Sequence, residues 1–232
     1  MKNQNPFRYF KTSPEIIHPA VMMYVRFPLS LRNVEDLLHE RGFNICHDTV
    51  RHWWNLFGPL FAREIRHHPT PGHFNWKWHL DEVFVKINGE THYLWRAIDH
   101  EGEVLEAFVS KRRDRKAALV FLKKIMKRYG RPRAIVTDRL RSYRAAMKLI
   151  GNNQIREVGR WMNNRCENYH LPFRRREYAM LRFRHMRSLQ KFISIHSSVF
   201  NHFNKERHLN SRDIFKVQRE AALVEWQQPC AA

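Results

Sequence analysis

A chain of 232 residues with 43% hydrophobic and 13% aromatic content carries enough apolar material for a real core, which excludes wholesale disorder. Its 42 Lys and Arg against 22 Asp and Glu leave a net charge of +20, so the expected partner is a polyanion. Nucleic acid is favoured over an acidic membrane surface, because the cations are spread over all regions instead of lining one amphipathic helix.

The first part of the chain predicts helices. SPEIIHPAVMMYVRF has apolar residues at helical spacing, with Ser13 as cap and Pro14 at the first helical position. LSLRNVEDLLHERG follows, with Leu31, Val34, Leu37 and Leu38 on one face and Gly42 as its stop. HDTVRHWWNLFGP predicts a third helix ending at Gly58 and Pro59, with Val50, Trp53, Trp54 and Phe57 buried and His47, Arg51, His52 and Asn55 outside. Two short helices around a glycine-containing turn is the helix-turn-helix pattern, which lays its second helix in the major groove.

The stretch 69–75, PTPGHFN, is a linker by composition, and beyond it the period changes from helical to alternating. Strands are predicted over 77–87, 91–99 and 104–110, then an amphipathic helix through DRKAALVFLKKIMKRYG, a short buried strand RPRAIVTD and a helix SYRAAMKLIG. IREVG is a candidate fifth strand, and the rest is mostly helical. The expected class is α/β: a ribonuclease H-like core at 69–187, a helix-turn-helix head at 1–68 and a helical extension at 188–232.

Three acids stand out. Alternation puts Asp81 on a face with His79, Val83, Val85 and Ile87, where a lone carboxylate is costly, and Glu82 on the other, half-solvated face with Leu80, Phe84 and Lys86. Asp138 closes the strand AIVTD, and functional groups gather beyond the carboxyl ends of strands in open α/β sheets. Glu167 lies in a predicted helix. Alone, Asp138 reads as a helix cap and Glu167 as a surface acid. Residues 131–187 are densely cationic, however, and carboxylates in a phosphate-binding segment repel the ligand unless a divalent cation intervenes. Three carboxylates suit two such ions, Mg²⁺ or Mn²⁺, which clamp both oxygens of a phosphoryl displacement.

SPEIIHPAV, PLSLRNVEDLLHERG, WHLDEVFVKING, SKRRDRKAAL, TD followed by Tyr143, NN-x-x-E and HLPFRRREYAM together cover nearly the whole length. In these stretches the chain resembles the DDE transposases of bacterial insertion sequences, and most closely the insertion-sequence-six family. The resemblance implies a catalytic triad of Asp81, Asp138 and Glu167, with Arg174 as the basic residue two helical turns past the glutamate and Asn163 or Asn164 assisting. It also implies hydrolysis at each element end followed by attack of the freed 3′-OH on target DNA, proceeding replicatively without a covalent protein–DNA intermediate. Two features depart from the wider group: the interval from Asp138 to Glu167 is short, and Pro172 interrupts the helix between Glu167 and Arg174.

Lys111, Arg112, Arg113, Arg139, Arg141, Arg175 and Arg176 are the cations expected to position phosphates, while His47, Arg51, His52 and Asn55 are expected to face bases of the inverted repeats. Synapsis of two ends requires at least a homodimer. Cys46, Cys166 and Cys230 make no disulfide framework, and His67, His68, His73 and His79 lack cysteine partners at zinc spacing. The longest apolar runs, 20–25 and 117–122, fall far short of the roughly 20 residues that cross a bilayer, and the start carries no signal-peptide core, so a soluble cytoplasmic protein is expected. A ribonuclease H-like nuclease without strand transfer and a non-catalytic helix-turn-helix regulator are the competing functions.

Overall fold

The computed structural model describes residues 6–67, 77–138, 140–158, 164–180, 183–204 and 210–227, with side chains for all of these except 67 and 164–169. The chain divides into two compact units: residues 1–69, 178–180 and 198–232 form one, residues 70–177 and 181–197 the other.

The first unit is helical. In α1 (Pro14–Arg26) the Ser13 side chain accepts from the Glu15 amide at 3.3 Å, and Pro14 occupies the first turn, where its missing N–H costs nothing. In α2 (Leu31–His39), Ser30 and Asn33 cap each other reciprocally: the Asn33 amide donates to Ser30 Oγ at 3.1 Å and the Ser30 amide to Asn33 Oδ1 at 2.9 Å. After a turn in which Gly42 takes φ +80°, α3 (His47–His67) begins. The expected stop at Gly58 and Pro59 is not made. Pro59 forfeits a helical hydrogen bond, but Phe57, Phe61 and Ala62 are buried on the packed face, and that burial carries the helix on for two more turns. α8 (Arg212–Gln227) packs on the same unit: Trp226 Nε1 donates to the His18 carbonyl at 3.4 Å, and the Trp226 carbonyl lies 3.1 Å from His18 Nδ1.

The second unit is built on a five-stranded sheet of order β3-β2-β1-β4-β5. β1 (Lys77–Ile87), β2 (Glu90–Asp99) and β3 (Val104–Ser110) are an antiparallel meander; β4 (Ala134–Thr137) runs parallel to β1, and β5 (Arg156–Val158) parallel to β4. This is the ribonuclease H-like arrangement. Asn88 at φ 50° and Gly89 at φ 83° form the two-residue turn between β1 and β2, the pair that tolerates positive φ, and this turn fixes the register Asp81↔Arg96. α4 (Arg115–Tyr129) and α5 (Arg141–Ile150) contribute Phe121, Leu122, Ile125, Tyr143 and Met147 to one core with Trp78, Leu80, Trp95 and Ala97 of the sheet.

Two further helices belong to this unit for most of their length. α6 (Asn164–Ala179) runs through Pro172 without ending, with Phe173 fully buried just beyond it. From α7 (Met186–Phe203), Gln190 covers the edge of β3: its Oε1 accepts from the Val109 amide at 2.8 Å and its Nε2 donates to the Ala107 carbonyl at 3.0 Å. Among the described residues, no helix is long and apolar enough to cross a membrane.

Candidate active site

β4 is only four residues long and its last residue, Thr137, pairs with Leu80. The next residue on each strand is therefore a carboxylate at the same level of the sheet, Asp81 on β1 and Asp138 just past β4. Asp138 is held there through both its side chain and its carbonyl: its Oδ1 accepts from the Leu140 amide at 3.0 Å, and its carbonyl accepts from Arg156 Nη2 at 3.0 Å and from Thr137 Oγ1 at 2.9 Å.

A third carboxylate joins them, and it is Glu82. Alternation along β1 predicts a half-solvated Glu82, but it is buried, at 7% exposure, while Asp81 is the more open of the two. The two halves of the strand differ. Near Trp78 and Leu80 the face is covered by α4 and α5, and only Phe84 and Lys86, beyond the reach of β4, meet solvent. Burial next to Asp138 pushes the Glu82 carboxyl up to about 7, against the pull of Arg113. Arg113 forms an ion pair with Glu82, sits over the Phe84 ring at 5.5 Å, and reaches to 3.5 Å from Asp138 Oδ2.

Asp81, Glu82 and Asp138 each bring a carboxylate oxygen within 4.8 Å of the others. Hard oxygen donors so grouped suit a divalent cation such as Mg²⁺ or Mn²⁺. On the far side of Asp81, His170 of α6 places Nε2 at 2.9 Å from Asp81 Oδ2, and its Nδ1 lies 3.3 Å from Nη1 of Arg96. Burial lowers the His170 pKa, with the Asp81 hydrogen bond opposing it. Neither partner was singled out in the sequence. The hairpin register fixed by Asn88-Gly89 sets Arg96 opposite Asp81, and His170 stands one helical turn after Glu167.

Glu167 falls in α6, but its side chain lies outside the described residues, as do Arg139 and Asn163 entirely and the side chain of Asn164. Arg174 donates to Glu177 Oε2 and to the Phe84 carbonyl, each at 2.6 Å. Lys111 is exposed and pairs with Glu90 at 2.9 Å; Arg112, Arg141 and Arg175 are exposed. Arg176 departs from its expected place at a phosphate: it is 1% exposed, its guanidinium over the Phe192 ring at 5.5 Å, because α7 covers that side of α6. On α3, Arg51, His52 and Asn55 are exposed, Arg51 pairing with Asp48, while His47 is half-buried with Nδ1 at 2.8 Å from Glu35.

The family described as DDE domain, of the IS240 transposase type, matches residues 75–206. The transposase for insertion sequence-like element IS431mec of Staphylococcus aureus is 33% identical over 184 residues, covering 76% of this chain and 81% of that protein. The transposase for insertion sequence element IS257 in transposon Tn4003, also from Staphylococcus aureus, is 33% identical with the same coverage. Among solved structures, the HTLV-2 integrase catalytic core domain in complex with magnesium is similar at 14% identity over 62% of this chain and 99% of that one, TM-score 0.43. The catalytic core domain of BIV integrase is similar at 15% identity over 65% and 97%, TM-score 0.39. The chain belongs to the DDE transposases of insertion sequences, which are polynucleotidyl transferases.

Proposed function

We propose that this transposase binds the inverted-repeat ends of its element and catalyses strand cleavage and strand transfer at a site made of Asp81, Asp138 and Glu167. The observation that carries this reading is the parallel register of β1 and β4, which sets Asp138 beside Asp81 at the carboxyl end of the shorter strand. Glu167 supports it by position. It precedes His170 by one helical turn, so the two share a face of α6, and His170 reaches Asp81. Two divalent cations, Mg²⁺ or Mn²⁺, held by these carboxylates would activate the attacking oxygen and stabilise the leaving oxygen of an in-line displacement.

The chain's own cations hold the DNA. Because α6 passes through Pro172, Arg174 stays on the face of Glu167 and His170, anchored by Glu177 and the Phe84 carbonyl beside β1, where it grips a phosphate next to the scissile bond. Arg113 supplies a second cation at the acids, and Lys111, Arg112, Arg141 and Arg175 contact phosphates further out. In the first step water adds to a phosphodiester at the element end and the bond to O3′ breaks, leaving a 3′-OH on the element. In the second, that hydroxyl attacks a target phosphodiester: one P–O bond forms, one breaks, and the target's 3′ oxygen leaves with a proton.

Residues 1–68 read the ends through the outer face of α3, residues 69–187 perform the chemistry, and bringing two ends together takes at least two copies of the chain. The test is strand transfer with Mg²⁺, a duplex carrying the element end and a supercoiled target. Wild type is expected to give joined products, and Asp138→Asn to bind the end without joining it. Cleavage without joining would favour a nuclease instead, and end binding with no chemistry in either protein a regulator.

A further inference from the structure

Behind Asp81 lies a buried chain of two hydrogen bonds whose polarity is fixed by one member. Arginine only donates, so His170 Nδ1 accepts from Arg96 Nη1 at 3.3 Å, and the ring proton must sit on Nε2. That Nε2–H then donates to Asp81 Oδ2 at 2.9 Å. Arg96 is 1% exposed and His170 9%, and Arg96 is the cross-strand partner of Asp81, so the three groups are stacked on one face of the sheet with little room to move.

The arrangement engages Oδ2 of Asp81 with a neutral donor, on a carboxylate that also brings an oxygen within 4.8 Å of those of Glu82 and Asp138. A neutral ring orients the carboxylate without cancelling its charge. A lysine or arginine in its place would orient it and compete with a cation for it, as Arg113 does at Glu82 and Asp138. Groups that hold a ligating carboxylate in place contribute to metal affinity without touching the metal.

We propose that His170, held in its Nε2–H form by Arg96, is a positioning residue that sets the Asp81 carboxylate for divalent-cation binding. This rests on the reading of Asp81 as a metal ligand.

The experiment titrates Mn²⁺ into the full chain bound to an end-carrying duplex, following free Mn²⁺ by electron paramagnetic resonance, alongside the Mn²⁺ dependence of strand transfer. His170→Phe fills the space but cannot donate; it is expected to weaken Mn²⁺ binding by about 10-fold or more, with end binding retained. His170→Gln, whose amide can donate to Asp81 and accept from Arg96, is expected to recover most of that loss, which a purely space-filling role would not allow. If His170→Phe lowers the melting temperature, His170→Asn, too short to reach Asp81, takes its place. Wild-type Mn²⁺ affinity in the non-donating variants, with affinity lost in Asp81→Asn, would overturn the positioning role alone. Wild-type affinity in Asp81→Asn as well would overturn the metal site beneath it.

Discussion

Leu80 and Thr137 are partners in the parallel ladder of β1 and β4, and each is followed immediately by an aspartate. Strand pairing alone thus delivers two carboxylates to one level of the sheet from positions far apart in the chain. The β4 ladder ends at Leu80 and this edge of β1 is bridged again only at Ile87, by Phe183, so just past Leu80 the strand edge opens into the space where Asp81, Glu82 and Asp138 meet.

Glu82 shares Arg113 with Asp138, the same guanidinium nitrogen pairing with both carboxylates. In Glu82→Gln the guanidinium keeps only Asp138 as a carboxylate among these three near it, and it then competes with the cation for that oxygen. The Mg²⁺ concentration for half-maximal strand transfer should rise several-fold, while the double variant Glu82→Gln, Arg113→Gln should return towards the wild-type requirement. An unchanged requirement in the single variant would separate Glu82 from the metal chemistry.

On α3, the Arg51–Asp48 pair is exposed, and such pairs contribute about 0–1 kcal/mol to stability. Arg51→Ala should therefore leave the melting temperature almost unchanged. If Arg51 reads a base of the inverted repeat, the same change should cost about 1–3 kcal/mol in binding the cognate end and little in binding unrelated duplex. Equal losses on both duplexes would make it a phosphate contact.

His196 is buried beside Arg96 and Arg176, and burial first, then those two charges, push its pKa down to about 3. The sign follows from which state takes the proton. Above pH 6.5 neither state is protonated at this ring and stability is unaffected. Between 6.5 and 3 the unfolded chain binds a proton that the folded chain refuses, so stability falls with falling pH, by at most about 1.4 kcal/mol per pH unit from this group. Urea unfolding at pH 7 and pH 5 should show this loss in wild type and a shallower one in His196→Leu.

Much of this was legible in the sequence, because local signals and tertiary structure agree there. The strands 77–87 and 104–110 stand where alternation placed them, and the Asn-Gly turn between the first two is unambiguous chemistry. Where a local signal met a packing demand, packing prevailed. Pro59 and Pro172 each argue for a helix end, yet both helices continue because large side chains beyond them, Phe61 and Phe173, are buried. The burial of Glu82 was hidden for a related reason: a period of two assigns a side chain to a face, but not what covers each half of that face. Arg176 looked like its neighbour Arg175 in a run of three arginines, and only the position of α7 distinguishes the buried cation from the exposed one.

The most direct measurement of the central claim replaces a hard ligand with a soft one. Asp81→Cys and Asp138→Cys substitute thiolate for carboxylate, which Mg²⁺ binds poorly and Mn²⁺ binds better. Strand transfer by each variant should fall by about 10³-fold or more in Mg²⁺, equivalent to about 4 kcal/mol in the barrier, and recover in part when Mn²⁺ is supplied. Wild-type rates for either variant in Mg²⁺ would contradict the assignment of that aspartate as a metal ligand.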